Sequence, residues 1–368
     1  MRRICMLWIS VFCFLVSLLA FPEGKRVYGF KGGVKARAEK GLTRDETGFH
    51  DAEGKFFSQS WTFVYYLDDR SGGYLQFTYM RMGYFLERLS GQHSYFGPDG
   101  ELRFSAEPAS GSDWCFELEP WRLRMGRQEL TGFYPEFTVR SEIKGLATDL
   151  HFLCKVPGWR PGEGPAYYGS PDGDWYDVYI VIPWAEVSGT ITVDGKTRSV
   201  HGFGYMDHNV QTVFFTAQAT SINALRSFSD HYAIHFLEYV APEGVEPRRL
   251  AWLLIMKDDR ILFATDKYTI EPSDYVDDDR ADYPYPTRIK VSVDLPECML
   301  TGTIRCIGFM EFLDVMDQIP EFLRGIADRM FRQPAFVRQL AEVDWEIKLK
   351  DIDENIRAEG IFEVAFVN

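Results

Sequence analysis

Residues 188–211, SGTITVDGKTRSVHGFGYMDHNVQ, decide how the chain reads. Asp194-Gly195 stands between two short β-branched runs, 190–193 and 197–200. Asp-Gly in that setting is the signal of a two-residue hairpin, whose turn needs positive φ at both central positions. The returning strand meets Gly202 and Gly204, then Tyr205, Met206, Asp207, His208 and Asn209. Glycine inside a strand marks a bulge, or a place where something approaches the backbone closely. A carboxylate, an imidazole and an amide therefore follow in a row, inside an otherwise apolar β context.

Outward from this hairpin the same grammar repeats. Upstream, Trp61, Phe63, Tyr65 and Leu67 share an extended run, with a turn over 68–73 and a return over 74–82. Further extended runs cover 101–106, 114–125, 136–143, 148–156 and 175–184, and 157–174 is a Gly- and Pro-rich loop. Downstream of a break at 221–230, a second series covers 231–240, 249–256, 260–269, 287–295 and 299–308. Short strands with frequent turns indicate an antiparallel sandwich or barrel. The segment 312–341 differs. Phe312, Val315, Met316, Ile319, Phe322, Leu323, Ile326 and Met330 recur at three and four residues, which predicts an amphipathic helix divided at Pro320 and Pro334. Residues 345–364 then repeat the order of 188–207: strand, acidic turn, strand, glycine, aromatic, carboxylate. The expectation is an all-β chain of two related units, 58–221 and 222–368, with the helix in the second.

Composition narrows the function classes. A chain of 368 residues is longer than one core usually serves. A net charge of −14 argues against nucleic acid and against an anionic membrane surface as main partners. The aromatic share of 15% suits sheet packing or a ligand cavity. Arg2 and Arg3 precede an uncharged apolar run over 4–20, which reads as a signal peptide or N-terminal anchor. Export to the periplasm or the medium is expected, with 4–20 as a membrane tether if it is retained. The basic residues from Lys25 to Lys40 pull the other way under the positive-inside rule. Residues 21–57 read as a linker. Beyond the leader, Cys115, Cys154, Cys298 and Cys306 permit two disulfides and equally suit buried free thiols.

Asp207 carries the chemistry best. Inside an apolar chamber its carboxyl would be held neutral and would serve as acid or base. His208 would orient it or share its proton, and Asn209 would fix the polar end of a ligand. Tyr205, His201, Trp61 and Tyr65 are candidates to line the chamber. A polar knot satisfying backbone groups at a bulge accounts for the same residues. In a regular strand Asp207 and Asn209 point one way and His208 the other, so all three converge only on a bent backbone. No metal site is expected: His231 and His235, read on a strand, stand roughly 13 Å apart. No cofactor is expected either, for the sequence holds no Walker loop, dinucleotide fingerprint or nucleophile elbow.

The run from His201 through Gly202, Phe203, Gly204, Tyr205, Met206 and Asp207 to His208 and Asn209, with Ser60-Trp61-Thr62-Phe63 upstream, resembles the carotenoid 1,2-hydratase and AttH-like family of lipocalin-like proteins. A survival-factor branch associated with ceramide-type lipids and some fungal Diels-Alder cyclases share that superfamily. The resemblance covers most of 58–368. It implies two tandem lipocalin-like antiparallel β-barrels, joined near Ser221, with an apolar ligand within or between them. In the hydratases the acidic and imidazole groups of the motif protonate an isolated double bond, and the matching positions here are Asp207 and His208. Hydratase motifs continue with Trp-Gly, whereas Val210-Gln211 follows here. That departure leans toward the survival-factor branch. Binding of a hydrophobic ligand, a lipid or an isoprenoid, is the expected function. The alternative is a lyase or cyclase using Asp207 and His208 as a proton-donor pair.

Overall fold

The computed structural model describes residues 26–36, 41–83, 86–279, 281, 283–314 and 335–367. The leader over 1–20 lies outside them. The Asp-Gly hairpin is present: Val193 pairs with Lys196, and Asp194 and Gly195 take φ of 48° and 79°. It joins the two longest strands of the first half, and the rest of that half is laid beside them.

In chain order the first half contains β1 (Val27–Tyr28), β2 (Phe56–Leu67), β3 (Gly72–Met82), β4 (Leu86–Phe96), β5 (Leu102–Ala109), β6 (Trp114–Glu117) and β7 (Arg122–Met125). It continues with β8 (Gln128–Phe133), β9 (Glu136–Ile143), β10 (Leu146–Cys154), β11 (Ala166–Tyr168), β12 (Asp174–Val193) and β13 (Lys196–Gln211). Their order in the sheet is β5-β4-β3-β2-β13-β12-β10-β9-β8-β7-β6, with β11 on β12 and β1 on β11. The sheet curls into a nearly closed barrel. Across its seam, Gln128 on β8 donates from Nε2 to the Gln92 carbonyl on β4 at 3.2 Å.

The second half contains β14 (Ser221–Phe228), β15 (Tyr232–Val240), β16 (Arg249–Lys257), β17 (Arg260–Thr265), β18 (Thr269–Val276), β19 (Tyr285–Leu295), β20 (Cys298–Asp314), β21 (Ala335–Leu349) and β22 (Ile352–Phe366). They form one antiparallel sheet in the order β17-β16-β15-β14-β22-β21-β20-β19-β18. The internal repeat is visible in this order, since β14 lies beside β22 as β2 lies beside β13. Registers agree as well. Asp207 lies eleven residues past the turn partner Lys196, and Glu363 lies eleven past the turn partner Ile352.

Three apolar cores result. One fills the first barrel, with Trp61, Phe63, Tyr65, Phe77, Phe152 and Met206. Another fills the second sheet, with Phe236, Ile289, Trp345 and Phe362. The third lies between the two sheets and includes Val64, Tyr66, Trp184, Tyr205, Phe228 and Trp252. This explains why most of β2 and the first half of β12 are buried on both faces: one face lines a barrel and the other abuts the second sheet.

Two expectations need correction. The segment over 21–57 is not a loose linker where it is described. Val27 and Phe30 are buried between the sheets, and Leu42, Phe49 and Ala52 pack on the barrel core. Composition missed this because the burying residues are few and spaced by glycine and lysine. The helix over 312–341 fails at both ends. Residues 312–314 complete β20 and 335–341 begin β21, their apolar spacing serving strands rather than a helix face; 315–334 lie outside the described residues. The four cysteines are free thiols, and burial pushes Cys154 and Cys306 up to about 12.

Candidate functional site between the two sheets

The bend anticipated in β13 is in its partner. Pairing slips between Ile180 and Ile182 and again between Ile182 and Ala185 on β12, while β13 runs straight. Pro183, which has no N–H to offer a ladder, falls inside the slip. Its carbonyl turns outward and meets His235 Nε2 of the second sheet at 2.9 Å. The two glycines of β13 serve close approach. A Cβ on Gly202 would lie 2.2 Å from the Tyr66 carbonyl oxygen, and one on Gly204 would lie 2.4 Å from the Phe152 ring.

Because β13 is straight, its side chains alternate. Tyr205, Asp207 and Asn209 face the second sheet. Asn209 donates from Nδ2 to Asp207 Oδ1 at 2.5 Å and accepts from the Tyr176 hydroxyl at 2.7 Å. The Tyr239 hydroxyl donates to that of Tyr176 at 3.2 Å. From β14, Arg226 Nη2 donates to Asp207 Oδ2 at 3.3 Å, and its guanidinium lies 5.0 Å from the Tyr205 ring centroid. Arg226 Nη1 stands 4.0 Å from Glu363 on β22. Glu363 accepts from Arg338 Nε at 2.6 Å, and Arg338 Nη1 donates to Glu311 at 2.6 Å. The Arg338 guanidinium lies 3.7 Å from the Tyr74 ring centroid. Two arginines and three carboxylates thus alternate in a buried row, walled by tyrosines of both sheets.

Every one of these charges is buried. Desolvation raises the Asp207 pKa, with Arg226 pulling it back and Glu363 adding to the rise. The guanidinium of Arg226 is held charged by Tyr205, Tyr74, Asp207 and Glu363 against burial. Several polar atoms here have no hydrogen-bond partner among the described residues: the Tyr74 hydroxyl, Arg226 Nε and Nη1, and Glu311 Oε1.

His208 faces the other way, into the first barrel. Its ring stacks on Trp61 at 4.3 Å and lies 5.2 Å from the ring of His50. Gln59 Oε1 is 3.3 Å from His208 Nε2. The same amide clamps the His50 backbone, accepting from its N–H at 3.0 Å and donating to its carbonyl at 2.8 Å. His50 is delivered by a short helix, α1 (Arg44–Thr47), started by a Thr43–Glu46 capping box. Trp61 Nε1 donates to the Thr47 carbonyl at 3.0 Å. Burial lowers the pKa of both imidazoles, and the neighbouring His50 lowers that of His208 further.

The structure therefore divides the candidate residues. Asp207, Asn209 and Tyr205 meet between the sheets. His208 and Trp61 meet inside the barrel, and Tyr65 lies deeper there, bonded to His93 Nε2 at 3.0 Å. The expected proton-donor pair does not form, since Asp207 and His208 occupy opposite faces of one strand. His201 joins neither group; it is exposed and pairs with Asp68 at 3.0 Å. Sequence reasoning missed Arg226, Glu311, Arg338, Glu363 and His50. The first four share a visible trait, a lone charge in an otherwise uncharged stretch of strand, as in NALRSF and IFEVAF. His50 was hidden in the stretch read as a linker.

A family model, that of the Svf1 family, matches residues 119–368. The ceramide-binding protein SVF1 of Yarrowia lipolytica is 26% identical over 259 residues, 64% of this chain and 63% of the relative. The ceramide-binding protein svf1 of Aspergillus fumigatus is 25% identical over 216 residues, 56% of this chain and 54% of the relative. The chain thus spans less than two thirds of the length of either. Among solved structures, an AttH-like protein of Nitrosomonas europaea aligns with a TM-score of 0.61 at 15% identity, covering 90% of this chain and 98% of that one. Kievitone hydratase of Nectria haematococca aligns with a TM-score of 0.56 at 10% identity, covering 94% and 98%. At such identities the likeness is one of fold, and it is the lipocalin-like fold that the motif over 201–209 led one to expect.

Proposed function

We propose, from the premise that this chain belongs to the Svf1 family, that it binds an amphiphilic lipid with the polar end held between the two sheets. The observation that carries this reading is the group of unpartnered polar atoms on Tyr74, Arg226 and Glu311, buried among aromatic rings. Each such atom costs about 1–3 kcal/mol if nothing meets it. A lipid head group offers hydrogen bonds there, and its chains suit the apolar core that surrounds the row. The names of the relatives, ceramide-binding proteins, support the same class of ligand for this chain. Export, or tethering through 4–20, belongs to the proposal and rests on that apolar run alone.

Solvent extraction of the purified protein followed by mass spectrometry tests the reading. One lipid per chain is expected, or uptake of one on incubation with lipid vesicles. Extracts without lipid, together with no uptake, would contradict it. A lyase or cyclase is the second reading, favoured by one observation: Asp207 is fully buried and desolvation raises its pKa, so it can carry a proton. It would act without His208. Asp207→Asn distinguishes the two, since turnover lost with lipid retained supports the enzyme.

A further inference from the structure

We propose that Glu311 and Glu363 act as a charge filter in the buried row between the sheets, admitting an uncharged head group and rejecting an anionic one. The inference rests on the lipid-binding reading and adds the residues that choose among lipids. Its basis is the balance of charge in the row. Asp207, Glu363 and Glu311 face Arg226 and Arg338, three carboxylates against two guanidiniums. With a proton on Asp207 the count is two against two. In neither state is a cation left over for a phosphate, and a desolvated anion without a counter-charge is strongly disfavoured.

The free hydrogen-bonding atoms say what is admitted. Arg226 Nε and Nη1 are donors in need of an acceptor, the Tyr74 hydroxyl gives or takes, and Glu311 Oε1 needs a donor. A neutral head carrying both a carbonyl or hydroxyl oxygen and an N–H or O–H satisfies all of them. An ammonium group has donors only. The free amine of an amino alcohol would meet Glu311, but it lacks the acyl carbonyl as an acceptor for Arg226 and sets a third cation beside the two guanidiniums. The arrangement of Glu363 is built into the fold, for it occupies in the second unit the register of Asp207 in the first. The two carboxylates flank Arg226 from either side and use up its charge.

Competition against a dye-labelled N-acyl amino alcohol tests this with three compounds of matched chains: the neutral N-acyl amino alcohol, its O-phosphate and the free amine. In the unaltered protein the neutral compound should compete at least about tenfold better than the phosphate and the amine. Glu311→Gln and Glu363→Gln each release a guanidinium from its carboxylate, and the neutral-to-phosphate ratio should fall below about threefold. Equal competition by the phosphate in the unaltered protein overturns the filter, whatever the variants do. An unchanged ratio in both variants, with intact circular dichroism, overturns the assignment to these two residues. Failure of the dye to bind at all contradicts the lipid reading itself, and the filter with it.

Discussion

At the scale of the residue, Arg226 is the side chain on which the site depends. It neutralises Asp207 at 3.3 Å and stands 4.0 Å from Glu363, both buried. Removing it leaves Asp207 without a counter-charge, whereas Glu363 keeps Arg338 at 2.6 Å. Arg226→Ala should cost about 3–5 kcal/mol in denaturant melts, and Arg226→Ala with Asp207→Asn should recover part of that loss. A loss under about 1 kcal/mol for the single variant would show that the row is solvated. The alternation of Asp207, His208 and Asn209 was legible in the sequence, because side-chain period in a strand is two. Which face held the chemistry was not, because the counter-ion of Asp207 comes from β14, a strand of the second sheet. No local pattern announces Arg226 as the counter-ion of a residue in another sheet.

At the scale of the element, the long hairpin β12–β13 and the cap over the first barrel make separate predictions. Gly202 and Gly204 both admit close neighbours, but of different kinds. A Cβ at Gly202 meets the Tyr66 carbonyl and Leu67 Cα, which belong to backbone, whereas one at Gly204 meets the rings and methyls of Phe152 and Val187. Backbone yields less than side chains, so Gly202→Ala should destabilise more than Gly204→Ala, within the roughly 1–3 kcal/mol typical of overpacking. Thermal melts of the two variants decide it, and the reverse order would contradict the assignment of Gly202 to strand contact.

The cap, residues 41–52, is held by His50, His208 and Gln59. Burial lowers both imidazole pKa values below the usual 6.5, against the attraction of Asp177 and the Glu46 carbonyl and with the repulsion of Arg160 on His50. Buried His93 and His235 are pushed down to about 3. The folded chain then binds fewer protons than the unfolded chain, so stability is full above about pH 6.5 and falls as pH drops below it. Each fully buried neutral imidazole withdraws up to about 1.4 kcal/mol per pH unit in that window. Protection of the amides over 41–52, taken as exchange relative to the intrinsic rate at each pH, should therefore be lower at about pH 5.5 than at about pH 7.5, and should fall ahead of that in the strands of the barrel. A flat profile would remove the histidine pair from the account of the cap. The hairpin was plain in the sequence, since Asp-Gly between β-branched runs has few other readings. The cap was not, since a short capped helix among lysines and glycines carries no periodic signal.

At the scale of the whole molecule, two sheets built on one plan share a core, and the polar row crosses it. The repeat of strand, acidic turn, strand and carboxylate showed in the sequence because each unit returns its last hairpin to lie beside its first strand. The extent of the strands was harder to read. Residues 312–313 and 335–337 are apolar at successive positions, and such runs imitate a helix when the partner sheet is not in view. The central claim is that the fold shelters the polar end of a lipid between its halves rather than inside the first barrel. A crystal structure of the chain with a bound N-acyl amino alcohol tests it most directly. The account predicts the head group within hydrogen-bond reach of Arg226 and Tyr74, and a head group inside the first barrel against Trp61, or on the outer surface, would contradict it.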